Sequence, residues 1–121
     1  MSATPQRLLL NRSLRIKQTR DFSRVRQAGQ RLVNGCLIVN WQTLPVGSAS
    51  RLGVVTSGKI GNAVVRSRAR RLLRESFRLH QHELNQPLDL VLVARNSIVG
   101  RPFAAVEKDF LATARKAGLL K

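Results

Sequence analysis

One stretch of this chain constrains the fold more than any other: the proline-free segment that follows Asn62. The Asn62 side chain can accept a hydrogen bond from an amide of a first helical turn, so it predicts a helix start. At about 100° per residue, one side of this helix is mainly apolar and the opposite side is rich in arginine. The first side holds Val65, Ala69, Leu72, Leu73, Ser76, Phe77 and Leu79, with Arg66 at its edge, and the second holds Arg68, Arg70, Arg71, Arg74 and Arg78. The segment therefore has one face for a core and one dense guanidinium surface.

The charges on this helix do not have the pattern of an ordinary solvated face, which mixes signs. Arg66, Arg70, Arg74 and Arg78 follow one another at intervals of four residues. Like charges at that interval repel by about 0.2–0.5 kcal/mol per pair. Glu75 is the only acid near them and cannot neutralise the set. The pattern predicts that this surface binds a polymeric anion.

The whole chain shows the same imbalance. It has 22 Lys and Arg against 6 Asp and Glu in 121 residues, which gives a net charge of +16. Such an excess opposes compactness by self-repulsion, so a polyanionic partner is expected. Nucleic acid fits best, because each neutralised phosphate releases counterions. Length and a hydrophobic content of 43% predict one globular domain.

Several classes of protein are excluded by composition. Cys36 is the only cysteine, so neither an internal disulfide nor a zinc finger can form. No stretch has the length of a transmembrane span, and the Leu8–Leu10 run is too short for a secretory signal. We therefore expect a soluble cytoplasmic protein with no membrane partner.

The rest of the chain predicts a small α+β domain. Residues 1–13 are expected to form a flexible basic arm, and residues 14–121 a single RNA-binding domain. Periodicity predicts a helix at about Thr19–Ala28, strands at Cys36–Gln42, Arg51–Ser57 and Asp89–Arg95, and a last helix between Pro102 and Gly118. The first two of these strands suit an antiparallel hairpin. The order indicates a two-layer sandwich with a mostly antiparallel sheet.

A self-contained active site is not expected. Gly53 to Ile60 resembles a phosphate-binding loop, but Ile60 replaces the hydroxyl that ligates magnesium. The six carboxylates are spread over five segments, whereas a metal-dependent nuclease needs several that converge. His80 and His82, near a helix end, favour contact with phosphate over catalysis. The pattern is that of a binding protein.

The chain resembles the protein subunit of bacterial ribonuclease P. The similarity rests on the run from Leu52 to Glu75, LGVVTSGKIGNAVVRSRARRLLRE, on Arg15-Ile-Lys with Asp21-Phe22 and Gly29, and on the strand Asp89–Arg95. It covers about Leu14 to Ala114. The resemblance implies a holoenzyme in which a large RNA removes the 5′ leader of precursor tRNA through bound Mg²⁺. It also implies an α-β-β-β-α-β-α sandwich with a left-handed β-α-β crossover, and a further strand within Arg31 to Gly35.

The resemblance further implies two RNA-binding surfaces and no metal held by the protein itself. The surface toward the catalytic RNA comprises Lys59, Asn62, Arg66, Ser67, Arg68, Arg70, Arg71 and Arg74. The cleft for the leader comprises Phe22, Arg26, Cys36, Ile38 and Asn40. Further basic contacts near the N-terminus come from Arg12, Arg15 and Lys17.

Two residues depart from the family pattern. Ser67 stands where the signature has asparagine, which removes the bidentate amide. Arg26 stands where a second aromatic is common on the first helix, although a guanidinium can stack on a base and pair with phosphate.

Two other functions remain open at this point. The same charge would suit a ribosomal-type structural protein held in rRNA. A transcription factor that places the arginine helix in DNA is less consistent, because no helix-turn-helix spacing precedes residue 62. No DNA partner is therefore expected.

Overall fold

The computed structural model describes residues 15–121, so the predicted basic arm and Arg12 lie outside it. Three helices and four strands follow in the predicted order α-β-β-β-α-β-α. They are α1 (Thr19–Ala28), β1 (Gln30–Asn34), β2 (Leu37–Thr43), β3 (Arg51–Val55), α2 (Ala63–His80), β4 (Leu88–Ala94) and α3 (Phe103–Lys116). The predicted α+β class is confirmed, and the strand implied within Arg31 to Gly35 is β1.

The strands form one sheet in the order β1-β2-β4-β3. β1 and β2 form a tight antiparallel hairpin, in which Gly35 supplies the positive φ of 60° that the turn requires. β2 pairs with β4 in antiparallel fashion, and β3 pairs with β4 in parallel. A parallel pair needs a long crossover, and α2 provides it. The left hand of this crossover stays a prediction from the resemblance.

The predicted antiparallel hairpin of β2 with β3 is wrong, because β4 lies between these two strands. The physical reason is the composition of β4, in which six of the seven residues are buried. A strand that is apolar on both faces is most stable in the interior of a sheet, with a neighbour on each side. The short spacing between β2 and β3 carries no information about a third strand that enters later.

The two faces of the sheet are covered differently. On one face, α2 and α3 pack Leu73, Phe77 and Phe110 against the sheet in the main core. On the other face, α1 contributes Val25 to a smaller cluster with Val91. The predicted two-layer sandwich consists of the sheet with α2 and α3, and α1 adds a partial layer on the opposite face.

Phe22 of α1 explains a glycine in the sheet. Its half-buried ring lies over Gly53 of β3, where a β-carbon would come within 2.4 Å of the ring atom Cε1. Gly53 is therefore an internal strand residue whose missing side chain makes room for an aromatic ring. This is a structural reason for the glycine that begins the apparent phosphate-binding loop.

His80 joins the end of α2 to α3. Its Nδ1 lies 2.5 Å from Glu83 Oε2, and its Nε2 lies 2.7 Å from Glu107 Oε2. Burial lowers the pKa of His80, but the two carboxylates raise it by more, so the pKa lies above its ordinary value. An imidazolium can donate to both carboxylates at once. The expected phosphate contact is thus wrong for His80, because both nitrogens of its half-buried ring are engaged by carboxylates.

We predict that Gly53→Ala destabilises the protein by about 1–3 kcal/mol, because the added methyl group forces the Phe22 ring to move. The same substitution in a Phe22→Ala background should cost much less, since the three nearest atoms all belong to that ring. Urea unfolding of the four proteins of this cycle measures the coupling. Equal costs in both backgrounds would contradict the contact.

Candidate nucleic-acid interface

The helix α2 begins as the sequence predicts. Asn62 Oδ1 accepts a hydrogen bond from the amide of Val65 at 3.0 Å, which caps the helix. A short 3-10 turn, Gly58–Ile60, precedes the cap and buries Ile60 in the main core. This anchor fixes the start of α2 on the sheet, so the directions of the following side chains are fixed as well.

The arginines of α2 fan out to both sides of the helix. On one side, Arg70 donates to Thr56 Oγ1 at 2.9 Å and to Ser67 Oγ at 3.2 Å. On the other side, Arg68 Nη2 donates to the carbonyl oxygen of Arg101 at 2.8 Å. The predicted arginine surface is therefore broad. We call it the positive band, and it comprises Arg66, Arg68, Arg70, Arg71 and Arg74. Ser67, which departs from the family pattern, orients Arg70 through its hydroxyl group.

The carboxylates of the chain pair with residues other than Lys59 and five of the α2 arginines, and this leaves those arginines positive. All six lie in the described part of the chain and contact other partners: Asp21 and Asp89 face Arg24 and Arg51, Glu75 pairs with Arg78, Glu83 and Glu107 pair with His80, and Asp109 lies 4.0 Å from Arg101. Within residues 15–121, no carboxylate lies within 4 Å of Lys59 or of the other five arginines of α2, Arg66, Arg68, Arg70, Arg71 and Arg74.

Arg15 joins this band from the N-terminal side. The amide of Ile16 donates to the carbonyl oxygen of Leu52 at 2.8 Å, which holds the segment along the outer edge of β3. A groove of about 410 Å³ then runs between Arg15, Arg71 and Arg74, and the Glu75–Arg78 pair also lines it. Burial, followed by the charges of Arg15 and Arg70, lowers the pKa of Arg74. The groove is thus a site where added positive charge is disfavoured and an anion is favoured. Lys17 is exposed beyond this edge.

A second cleft lies on the opposite face of the sheet, between α1 and strands β2 and β4. It has a volume of about 310 Å³ and contains three of the five residues predicted for a leader cleft, Arg26, Ile38 and Asn40. Its other lining residues are Ser23, Gln27, Arg31 and Val93. Ser23 and Gln27 share one face of α1 with Arg26 by helical spacing, a signal that could have identified them.

Asn40 lies at the floor of this cleft and is only 3% exposed. Its Nδ2 donates to the carbonyl oxygen of Val91 at 3.3 Å. Among residues 15–121, no donor reaches its side-chain oxygen. Buried polar atoms usually have a partner, so this oxygen is available to a donor that enters the cleft.

The structure does not bring Phe22 and Cys36 into this cleft. Phe22 lies on the same face of the sheet, but toward β3 and beside Arg15 and Arg74. Cys36 was expected to line this cleft with Ile38 and Asn40, but it lies with Leu37 and Val39 in the main core on the other face of the sheet. It precedes β2 in the turn, where alternation does not apply, and its amide donates to Asp109 Oδ2 of α3 at 3.0 Å. Burial raises the pKa of the Cys36 thiol to about 11.

A buried carboxylate sets the position of α1 over the cleft. Asp89 at the start of β4 is fully buried and accepts hydrogen bonds from Arg24 of α1 at 2.7 Å and from Arg51 of β3 at 2.8 Å. Arg24 also donates to Gln42 of β2. Burial raises the pKa of Asp89, but the two arginines lower it by more, so the pKa lies below its usual range. One carboxylate therefore ties α1 to the sheet.

Comparison with known proteins identifies the family and the fold. The family model described as Ribonuclease P matches residues 10–118. This chain belongs to the ribonuclease P protein family. It is 37% identical over 111 residues to the ribonuclease P protein component of Syntrophomonas wolfei, with 92% of each chain covered. It is also 37% identical over 114 residues to that of Gluconacetobacter diazotrophicus, with 92% of this chain and 97% of the relative covered.

Solved structures of ribonuclease P proteins share the fold. The Staphylococcus aureus RNase P protein superimposes with a TM-score of 0.81 at 26% identity, over 89% of this chain and 98% of that chain. The RNase P protein from Thermotoga maritima gives 0.73 at 28% identity, over 84% and 96%. The chain is thus a protein component of the ribonuclease P holoenzyme, which hydrolyses RNA in tRNA processing, and its partner is the ribonuclease P RNA.

Two further observations concern the described part of the ribonuclease P protein. Residues 15–121 contain no group of three or more His, Cys, Asp or Glu side chains that could hold a metal ion. None of the helices in this range is long and apolar enough to cross a membrane.

We predict that Asp89→Asn destabilises the protein by about 2 kcal/mol at neutral pH. This is less than the roughly 3–5 kcal/mol for one partner of a fully buried pair, because the arginines are partly solvated. The folded-state pKa of Asp89 lies below its unfolded value, so the unfolded state binds more protons as the pH falls below about 4. The contribution of Asp89 is therefore present above that pH and is lost as the pH falls through the folded pKa.

Urea unfolding of both proteins between about pH 2 and pH 7 checks this expectation, and the difference between them should shrink on the acid side. Glu75→Gln is the matched control, since Glu75 pairs with Arg78 on the surface of α2. Its effect should stay below about 1 kcal/mol. Equal effects of the two substitutions would contradict the role of Asp89.

Proposed function

We propose that this chain binds the ribonuclease P RNA through the positive band of α2 and holds the 5′ leader of precursor tRNA in the cleft beneath α1. The observation that carries the first part is the placement of the six carboxylates, which leaves five arginines of α2 without an acidic partner. Arginine offers forked donors that match phosphate oxygens. RNA is recognised largely through its backbone and 2′-hydroxyl groups, which suits a broad band of guanidinium groups.

The cleft beneath α1 has the properties that a single strand requires. Arg26 and Arg31 at its rim can pair with phosphates, and Ile38 and Val93 provide apolar surface for a base. The free oxygen of Asn40 can accept a hydrogen bond from the edge of that base. The two surfaces lie on opposite faces of the sheet, so one protein can contact the catalytic RNA and the leader at once.

Bond breaking in this proposal belongs to the RNA and its bound Mg²⁺. The residues of the chain supply binding energy and position, as cationic and hydrogen-bonding groups do without taking part in chemistry. We also place this work in the cytoplasm, where bacterial precursor tRNA is processed.

For the positive band, we predict that Arg71→Ala weakens binding to ribonuclease P RNA and reduces the slope of log K against log salt by about one. Arg115→Ala is the matched control, because Arg115 is an exposed arginine in the last turn of α3. Its slope should equal that of the wild type. Equilibrium binding across a salt series measures both slopes. An unchanged slope for Arg71→Ala would contradict the proposal that the positive band contacts the RNA.

For the cleft, we predict that Arg26→Ala lowers the affinity of the reconstituted holoenzyme for leader-bearing precursor tRNA by roughly tenfold, and that for mature tRNA much less. A tenfold loss of affinity corresponds to about the free energy of one hydrogen bond to a charged group. Arg20→Ala on the same helix is the control, since Arg20 does not line the cleft. Equal losses of affinity for precursor and mature tRNA would show that Arg26 does not contact the leader.

A further inference from the structure

An apolar notch lies where the first turns of α2 meet the loop that precedes α3. Its volume is about 190 Å³. Val64, Val65 and Ala69 of α2 form one wall, Ile98 and Val99 of the loop form the other, and Arg68 stands at the rim. Neither the positive band nor the leader cleft accounts for it.

The notch exposes apolar side chains that the fold does not need to expose. Val64 is 77% exposed and Val99 is 49% exposed. Only two other large apolar residues in the described part of the chain are comparably exposed, Val33 and Val46. Single exposed apolar residues are common and need no explanation. Two that face one concave site beside an arginine indicate a binding surface.

The rim of the notch is positive and partly fixed in place. Arg68 Nη2 is held by the carbonyl oxygen of Arg101 at 2.8 Å, so one guanidinium group has a set position. The side chain of Arg101 is itself 43% exposed, and its nearest carboxylate, Asp109, is 4.0 Å away. Asp109 is also occupied by the amide of Cys36. A ligand that fits the notch therefore combines an apolar group with negative charge beside it, where Arg68 lies.

The volume of the notch limits the size of the ligand that it can hold. Sites for drug-sized ligands have about 300–1,000 Å³, so 190 Å³ suits a single ring system. An unpaired base of RNA, turned out of its stack, is a flat ring with a phosphate on each side. Arg68 belongs both to the notch and to the positive band, so an RNA on the band passes directly over the notch.

We propose that the notch receives one unpaired nucleobase of the ribonuclease P RNA, while Arg68 faces a flanking phosphate. This rests on the proposed function, in which the positive band of α2 binds that RNA. A second copy of this chain would bring more positive charge to a rim that is already positive, and charge complementarity therefore favours RNA.

The test is a double variant, Val64→Ser with Val99→Ser, and its matched control is Val46→Ser. Val46 is 99% exposed in the loop between β2 and β3, so its replacement tests the chemistry of the substitution alone. The notch variant should bind ribonuclease P RNA about tenfold more weakly at a fixed salt concentration. Its salt slope should be unchanged, because no charge is removed. The control should bind as the wild type does.

A footprint identifies the occupant. Dimethyl sulfate and a carbodiimide, which together modify unpaired bases of all four kinds, are applied to the RNA with and without protein. The wild type should protect a base that stays reactive with the notch variant. Unfolding of each variant in urea should match the wild type, because the replaced side chains are exposed.

The outcomes separate the two proposals. Wild-type binding and footprint by the notch variant, with a reduced salt slope for Arg71→Ala, would overturn the notch and leave the band. Wild-type behaviour of both variants would overturn both. A changed sedimentation coefficient of the notch variant with unchanged RNA affinity would assign the notch to a second copy of the chain and overturn the proposal.

Discussion

The structure depends on the burial of β4 on both faces. Its alternation sends Leu88, Leu90 and Leu92 to the core beneath α2 and α3, and Val91 to the cluster beneath α1. A strand of this kind requires a layer on each side and a neighbour along each edge. The parallel pairing with β3 then requires a crossover, and α2 is that crossover. The position of α2 is thus determined by the parallel pairing of β3 with β4. The cleft beneath α1 lies on the opposite face of β4.

Charge placement adds the second constraint. The chain has six carboxylates for 22 basic residues, and all but Glu75, which pairs with Arg78 within α2, contact residues of a neighbouring element or loop. Asp89 ties α1 to the sheet, and Glu107 receives His80 at the end of α2. A carboxylate at such a join offsets the cost of burying a cation there. Because the carboxylates pair with other residues, Arg66, Arg68, Arg70, Arg71 and Arg74 of α2 keep their positive charge without an acidic partner.

Local patterns predicted the parts of this structure that depend on local physics. The periodicity after Asn62 identified α2 with its cap, and a continuous apolar run identified β4. Pairing between distant segments was beyond such patterns: the spacing of β2 and β3 suggested a hairpin that β4 interrupts. Cys36 does not line the cleft as expected, for a local reason: the turn at Gly35 ends the alternation of side chains before β2 begins. His80 was misjudged because Glu107 is 27 residues away and only the packing of α3 on α2 brings it near.

The same separation concentrates positive charge at one edge of the protein. Self-repulsion among Arg15, Arg70 and Arg74 adds to the effect of burial on Arg74 and disfavours its charged form, as its lowered pKa shows. This repulsion is confined to one edge, where α2 and the segment before α1 meet along β3. On the opposite side of α2, Phe77 packs with Phe110 in the main core. A phosphate in that groove would replace this repulsion with attraction. In the proposed function, RNA at this edge would therefore add to the stability that the core supplies.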